Sequence, residues 1–134
     1  KEFQLRIANI RQHMTDALAL DPERVQAIKD RLQTAISELQ VNVDENRFEQ
    51  ELIYYLEKLD ITEEKVRLTN HLDYFLETID GTEANGRKLG FITQEMGREI
   101  NTMGSKSNHA QMQKLVVMMK DELEKIKEQV LNVL

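Results

Sequence analysis

The segment GRKLGFITQEMGREINTMGSKS, residues 86–107, has the apolar spacing of an amphipathic helix. It also contains four of the chain's five glycines, although a glycine inside a helix costs about 1 kcal/mol relative to alanine. At about 100° per residue the side chains separate into distinct faces. The face predicted to pack inward carries Leu89, Ile92, Met96, Ile100 and Met103. The glycines fall together on one flank of that face, and the opposite flank carries Glu95, Glu99, Thr102 and Lys106.

The line of glycines has two open explanations. It lets another backbone come close to the helix, and that backbone can belong to a crossing helix or to a ligand with phosphates. The side chains predicted to point away from the core are Arg87, Gln94, Arg98 and Asn101. Residues 86–134 carry eight Lys or Arg and six Asp or Glu, whereas residues 1–85 carry ten and eighteen. Any contact with a polyanion is therefore expected in the second part of the chain.

The rest of the chain also favours helices. Aromatic residues make up 5% of it, there is one proline, and no segment alternates with a period of two. The segment DITE, residues 60–63, is similar to a capping box, so the third helix is expected either to run through Asp60 or to restart there. The segment IDGTEANG, residues 79–86, is predicted to be a loop. The prediction is an all-α chain of about five helices.

The last helix carries an apolar seam that alternates between spacings of four and three residues. Its members are Met112, Val116, Met119, Leu123, Ile126, Val130 and Val133. We therefore expect either an antiparallel helical bundle or an extended helical arm with a coiled-coil-like C-terminal helix. Residues 1–134 are predicted to be a single helical region from the C-terminal part of a longer protein. Within it, residues 1–45 form a helical hairpin-like segment.

The composition excludes several classes of protein. No apolar run approaches the roughly 20 residues that a membrane span needs. The chain has no cysteine, which excludes disulfides and thiolate metal sites. We expect a cytoplasmic protein without a membrane partner. The sequence contains no Walker, dinucleotide-binding or HExxH motif.

A second set of polar residues is spaced by four, three and four positions. It consists of Asp60, Glu64, Arg67 and His71. On a continuous helix these side chains would stack on one side, where they could bind a metal and move protons at a phosphate. The alternative is a solvated face with ordinary ion pairs, in which Asp60 is a helix N-cap.

The motif at residues 86–107, followed by KLVVMMKDELEKIKEQVLNV, resembles the C-terminal signature of the YicC/YloC-like endoribonucleases. The segment EKLDITEEKVRLTNHLDYF, residues 57–75, is similar to the segment that precedes it in that family. The resemblance covers roughly residues 45–134, and the first 45 residues match only in helical character. The sequence departs from the family pattern, which usually has Asp where Gly90 stands, Asn where Gly97 stands, an acidic residue near Gln111 and an acidic C-terminus where this chain has Val133 and Leu134.

The resemblance implies a bacterial, cytoplasmic, divalent-metal-dependent enzyme that cuts RNA internally. It also implies a further N-terminal domain and assembly as a hexamer. Region 46–134 carries the signature. The positions in it that match the family are Asp60, Glu64, Arg67, His71, Gly86, Arg87, Lys88, Gln94, Glu95, Arg98, Glu99, Asn101, Ser105 and Lys106.

The chemistry of these side chains suggests roles, which the resemblance alone does not give. The predicted ligands of a Mn²⁺ or Mg²⁺ ion are Glu95, Glu99 and Asp60. The predicted catalytic residues are His71, Glu64, Glu95 and Glu99. The residues predicted to bind RNA phosphates are Arg67, Arg87, Lys88, Arg98, Asn101, Ser105 and Lys106.

Two alternatives to an enzyme remain open at this point. In the first, the chain is an oligomerisation module whose last-helix seam joins subunits. In the second, it is an RNA-binding module and the active site lies in the N-terminal domain. The scarcity of aromatic residues argues against base stacking, so such binding would depend on phosphate contacts and weaken steeply with salt.

Overall fold

The computed structural model describes residues 2–39, 44–81 and 86–133. Within these ranges there are six helices and no strand, which confirms the all-α prediction. The additional helix arises because the third predicted helix ends at Lys58 and a new helix begins at Thr62. The helices are α1 Glu2–Ala19, α2 Asp21–Glu38, α3 Glu45–Lys58, α4 Thr62–Asp80, α5 Gly86–Lys106 and α6 Ala110–Val133.

Asp60 lies in the break between α3 and α4. Its carboxylate accepts hydrogen bonds from the backbone N–H of Thr62 at 3.3 Å and from the Thr62 hydroxyl at 2.8 Å. These bonds satisfy a donor that the first turn of a helix leaves without an intrahelical partner. The restart near Asp60 is therefore confirmed. The alternative, a continuous helix that stacks Asp60 beneath Glu64, is wrong.

Four helices, α1, α4, α5 and α6, pack into a bundle around the core. α4 and α5 run antiparallel, because Glu64 contacts Lys106 near the end of α5 and Tyr74 contacts Lys88 near its start. Full burial of a large apolar side chain contributes about 1.5–3 kcal/mol, and this core contains many of them. The largest are Phe75, Ile7, Ile10, Leu68, Leu72, Leu89, Met96, Ile100, Met112, Met119, Ile126 and Val116.

The glycine flank of α5 lies against α6. A Cβ atom on Gly104 would stand 3.1 Å from Val116, and one on Gly97 would stand 3.3 Å from Leu123. Gly90 has no such neighbour within 4 Å. Close approach of a crossing helix therefore explains Gly97 and Gly104, which is the first of the two explanations offered by the sequence.

The apolar seam of α6 is buried inside the same chain from Met112 to Val130, and the side chain of Val133 lies outside the described part. Met119 and Ile126 have no exposed surface, and α1 and α5 pack against the helix that carries them. A seam that is covered in this way is not available to a second subunit. The oligomerisation module that would use it is therefore not supported, and the coiled-coil-like spacing reflects packing within the bundle.

α2 and α3 project from the bundle as an arm. Arg24 and Ile28 are buried at the base of α2, and no residue of 29–39 or 44–60 is buried. The two helices face each other across an open groove lined by apolar side chains such as Leu32 and Phe48. Within the described part of residues 1–45, α1 belongs to the bundle and α2 to the arm, and the two helices contact each other. None of the helices in the described ranges combines the length and the apolar character that a bilayer crossing requires.

Candidate active site between α4 and α5

Four charged side chains meet in the groove between α4 and α5. The side chains of Glu64 and Glu99 are only 3% and 5% exposed. Arg67 donates from Nε to the Glu99 carboxylate at 2.8 Å and from Nη2 to Glu64 Oε2 at 3.1 Å. Lys106 donates from Nζ to both oxygens of Glu64 at 3.2 Å. We refer to Glu64, Arg67, Glu99 and Lys106 as the ion cluster.

The spacing of the sequence creates this ion cluster. Glu64 and Arg67 are three residues apart on α4, and Glu99 and Lys106 are seven apart on α5, so each pair occupies one flank of its helix. A buried carboxylate without a partner would cost several kcal/mol, and here two carboxylates meet two cations. The hydrogen bond to Glu99 is the main reason why the pKa of Arg67 is raised. Arg67 therefore pairs with both buried carboxylates, and Lys106 pairs with Glu64.

The C-terminal end of α5 connects the ion cluster to the base of the arm. Lys106 Nζ also donates to the backbone carbonyl of Asp60 at 3.0 Å. Arg24 is almost fully buried, and its Nη1 donates to the carbonyl of Lys106 at 2.8 Å while its Nε donates to Asp21 at 2.8 Å. The sequence analysis missed Arg24. The sequence shows that Arg24 follows Asp21 by three residues, which is compatible with an ion pair on one helix. It cannot show that Arg24 also donates to a backbone carbonyl of another helix, because any residue type can supply that acceptor.

His71 and Glu95 lie in the same groove but outside the ion cluster. His71 is half-buried and stands one turn after Arg67 on α4. Glu95 stands one turn before Glu99 on α5, and its carboxylate is 3.7 Å from Arg98 Nη2. Because α4 and α5 are antiparallel, this register places His71 and Glu95 at similar heights along the groove.

A polar stripe follows the solvent side of α5. The side chains predicted to point away from the core are indeed exposed. One exposed face of α5 contains no carboxylate, and we refer to it as the outer stripe. It consists of Arg87, Phe91, Gln94, Arg98, Asn101 and Ser105. Lys88 lies beside this stripe, on the flank towards α4, with Nζ 4.8 Å from the centre of the Tyr74 ring. The sequence analysis did not single out Phe91 or Tyr74.

The three predicted metal ligands do not converge. Both oxygens of Glu99 accept from Arg67, Glu95 lies beside Arg98, and the carboxylate of Asp60 is bound to Thr62. In the part of the chain that the structure describes, no three His, Cys, Asp or Glu side chains form a group that could hold a metal ion. Mg²⁺ and similar cations require several oxygen ligands at one point. As placed in one chain, these residues do not fit a divalent metal.

The groove between α4 and α5 thus contains a buried ion cluster, and the exposed outer stripe beside it carries two arginines. The family model described as "Endoribonuclease YicC-like, C-terminal" matches residues 17–134. The chain therefore belongs to the YicC-like endoribonuclease family, as part of its C-terminal region. The match includes α2, so the similarity reaches well before residue 45, where the resemblance was expected to begin.

Two relatives extend the similarity over almost the whole chain. One, from Clostridioides difficile, is named "Probable endoribonuclease YicC" and is 38% identical over 136 residues, which cover 99% of this chain and 46% of the relative. Another with the same name, from Haemophilus influenzae, is 32% identical over 135 residues, covering 95% of this chain and 47% of the relative. The chain thus spans slightly less than half the length of these relatives.

Proposed function

We propose that the full-length protein is an endoribonuclease, and that RNA is bound and cut along the groove between α4 and α5. The observation that carries the proposal is the antiparallel register of α4 and α5, which the ion cluster fixes and which sets His71 and Glu95 at similar heights along the two helices. Glu64 and Lys106 are 42 positions apart in the sequence and still contact each other directly. The names of the two relatives, both probable endoribonucleases, support the same activity.

The phosphates of the RNA are held by the outer stripe and its neighbour Lys88. Arg87 and Arg98 supply guanidinium groups, which bind phosphate oxygens through paired hydrogen bonds. Asn101 and Ser105 add neutral donors towards the end of the stripe. Arg67 and Lys106 act differently from the phosphate contacts predicted from the sequence. Since both form ion pairs with buried carboxylates, they fix the relative position of α4 and α5.

His71 and Glu95 carry out the proton transfers. Cleavage of a phosphodiester requires that a proton leave the attacking oxygen and that another reach the leaving oxygen. Imidazole can accept and donate protons near neutral pH, and the carboxylate of Glu95 is 45% exposed. Glu64 and Glu99, which were predicted to be catalytic, serve instead as the buried anions of the ion cluster.

Dependence on Mn²⁺ or Mg²⁺ is a separate proposal. Among the residues that the structure describes, no group within one chain fits such an ion. Its ligands would come from the other half of the full-length protein or from a second subunit. Cleavage that persists after complete chelation, with no metal detected in the protein by mass spectrometry, would contradict this proposal.

We also propose a hexameric assembly and a cytoplasmic location in a bacterium, both of which follow from the family resemblance. Analytical ultracentrifugation of the full-length protein tests the first of these. Recovery of the protein with membranes after cell fractionation would contradict the second.

An RNA-binding module with the active site elsewhere is the second candidate. The observation in its favour is that the four charges of the ion cluster bind one another. Cleavage of a labelled RNA by the full-length protein, its His71→Ala variant and its Glu95→Gln variant separates the two candidates. The endoribonuclease proposal predicts that each variant lowers kcat at least about tenfold with little change in RNA affinity. Unchanged kcat in both variants would place the chemistry in the other half of the protein.

A further inference from the structure

Phe91 is an exposed aromatic residue within the outer stripe. It is 64% exposed, whereas the other members of this face are polar or basic. Full burial of a phenylalanine side chain typically stabilises a fold by about 1.5–3 kcal/mol. Most of that stabilisation is absent here because the side chain of Phe91 is mainly exposed. The exposed ring lies between basic and amide side chains. Such a surface is suited to a ligand that has both flat apolar groups and negative charge.

The surroundings of Phe91 match such a ligand. Arg87 lies one helical turn before it and Arg98 two turns after it, at about 6 Å and about 10 Å along the helix axis. The carboxylate next to the stripe, that of Glu95, lies 3.7 Å from Arg98 Nη2. The Arg98 side chain remains 73% exposed beside this ion pair, so an accessible guanidinium follows the ring and Arg87 precedes it, in a chain with a formal charge of −6. This complementarity points to a polyanion.

We propose that Phe91 is a stacking platform for one unpaired base of the RNA, with Arg87 and Arg98 on phosphates to either side. The inference rests on the proposed function and specifies its substrate: the RNA carries an unpaired nucleotide at this point. In a continuous duplex each base is stacked between its neighbours, and proteins stack aromatic side chains mainly on bases in loops, bulges and single strands. The overall scarcity of aromatic residues does not weigh against stacking here, because one well-placed ring suffices.

The test compares two probes on the full-length protein by fluorescence anisotropy. One is a labelled oligouridine of about ten nucleotides and the other is an RNA duplex of the same length. Phe91→Ala should weaken binding of the oligouridine about five- to a hundredfold, which corresponds to the loss of one stacked base. Binding of the duplex should change by less than about twofold. Phe91→Trp should restore the oligouridine affinity.

Two further variants separate stacking from other effects. Leu131→Ala removes an equally exposed apolar side chain from α6, where Leu131 is 68% exposed, and should leave both affinities unchanged. Arg98→Ala should reduce the slope of log affinity against log salt by about 0.7, whereas Phe91→Ala should not change that slope.

Three results would overturn the inference. In the first, Phe91→Ala leaves oligouridine binding within about twofold of the parent, which is less than one stacked base contributes. In the second, both probes are weakened equally. In the third, Phe91→Ala alters the sedimentation of the protein without RNA, which would assign Phe91 to a contact between copies. Oligouridine binding that depends on Phe91, in a parent protein that does not cleave RNA, would contradict the proposed function and support stacking.

Discussion

Glu99 is a buried anion of the ion cluster, and both of its carboxylate oxygens accept from Arg67 Nε. Glu95, one turn earlier on the same helix, has a carboxylate that is 45% exposed and lies 3.7 Å from Arg98. Two glutamates on one helix thus differ in their surroundings. Their amide variants isolate the effect of burial, because Glu→Gln preserves the size of the side chain.

The Glu99→Gln variant should lose about 1–3 kcal/mol of unfolding free energy, because a neutral amide replaces the buried carboxylate whose two oxygens accept from Arg67 Nε. Glu95→Gln should change that free energy by less than about 0.5 kcal/mol, as is typical of surface pairs. Urea denaturation of both variants and the parent chain measures the difference. Equal losses would show that the ion cluster does not stabilise the bundle.

Glu122 connects α6 to α1 and makes the stability of the bundle dependent on pH. Burial by itself would raise the pKa of Glu122, but hydrogen bonds from Asn9 and Arg6, both at 3.2 Å, outweigh burial and lower it. The unfolded chain therefore binds a proton more readily at this site than the folded chain does. The stabilisation is present above the ordinary pKa of 4.5 and is lost as the pH falls through the lower, folded pKa.

Glu122→Gln should lower the unfolding free energy by about 1 kcal/mol at neutral pH, because the charged acceptor of two hydrogen bonds is lost. The difference between variant and parent should shrink as the pH falls below 4.5. Urea denaturation at a series of pH values from neutral to acidic measures this difference in unfolding free energy. A difference that stays constant over the whole series would show that the charge of Glu122 contributes nothing.

At the scale of one element, the two flanks of α5 have different functions. One flank lies against α6 through Gly97 and Gly104, and the other carries Glu99 and Lys106 to α4. Gly90 lies near the same flank as the other glycines but has no neighbour that a Cβ atom would meet within 4 Å. Close packing therefore does not require glycine at position 90.

Gly90→Ala should raise the unfolding free energy by about 0.5–1 kcal/mol, because alanine is the better helix former and nothing obstructs its methyl group. Gly104→Ala should lower it, since the new methyl group would stand 3.1 Å from Val116, a β-branched side chain with little rotamer freedom. Thermal denaturation of the two variants compares them directly. Stabilisation by both substitutions would contradict the close approach of α5 and α6.

The faces of α5 could be predicted from the sequence because they depend only on helical periodicity. The inward positions such as Leu89 and Ile100 are buried, and Arg98 and Asn101 are exposed, as expected. The periodicity also placed Glu99 and Lys106 on one flank. It could not show that their partners are Arg67 and Glu64, because that pairing depends on how α4 packs against α5.

Other features depend on contacts that have no local pattern. The apolar seam of α6 looked like a surface for another subunit, since its spacing is the same whether the partner lies in the same chain or in another. The spacing of four residues between Asp60 and Glu64 is compatible with a single helix. In the structure Asp60 precedes α4, which begins at Thr62. Phe91 follows Arg87 by one turn, but exposure of an apolar residue becomes visible only in the structure.

At the scale of the whole molecule, the bundle and the arm differ in the amount of buried surface. The described parts of α2 and α3 beyond Ile28 contain no buried residue, and Arg24 ties the base of α2 to the end of α5. Elements with few buried apolar contacts open with a small free energy. The arm is therefore expected to open independently of the bundle.

Native-state hydrogen exchange, followed by mass spectrometry, should show faster exchange in α3 and the second half of α2 than in α4, α5 and α6. Arg24→Ala should extend fast exchange to the first turns of α2, because its hydrogen bond to the Lys106 carbonyl is lost. Arg31→Ala, which alters an exposed arginine of the same helix, is the matched control. Uniform protection of all six helices would contradict the division into bundle and arm.

Cleavage of a labelled RNA by the full-length protein tests the proposal that RNA is bound and cut along the α4–α5 groove. The double variant Arg87→Ala/Arg98→Ala removes two cations from the outer stripe, and Lys114→Ala/Lys120→Ala removes two exposed cations from α6. We expect kcat/KM to fall at least about tenfold in the first variant and to change less than about twofold in the second. Equal activity of both variants and the parent, with all three proteins folded, would contradict it.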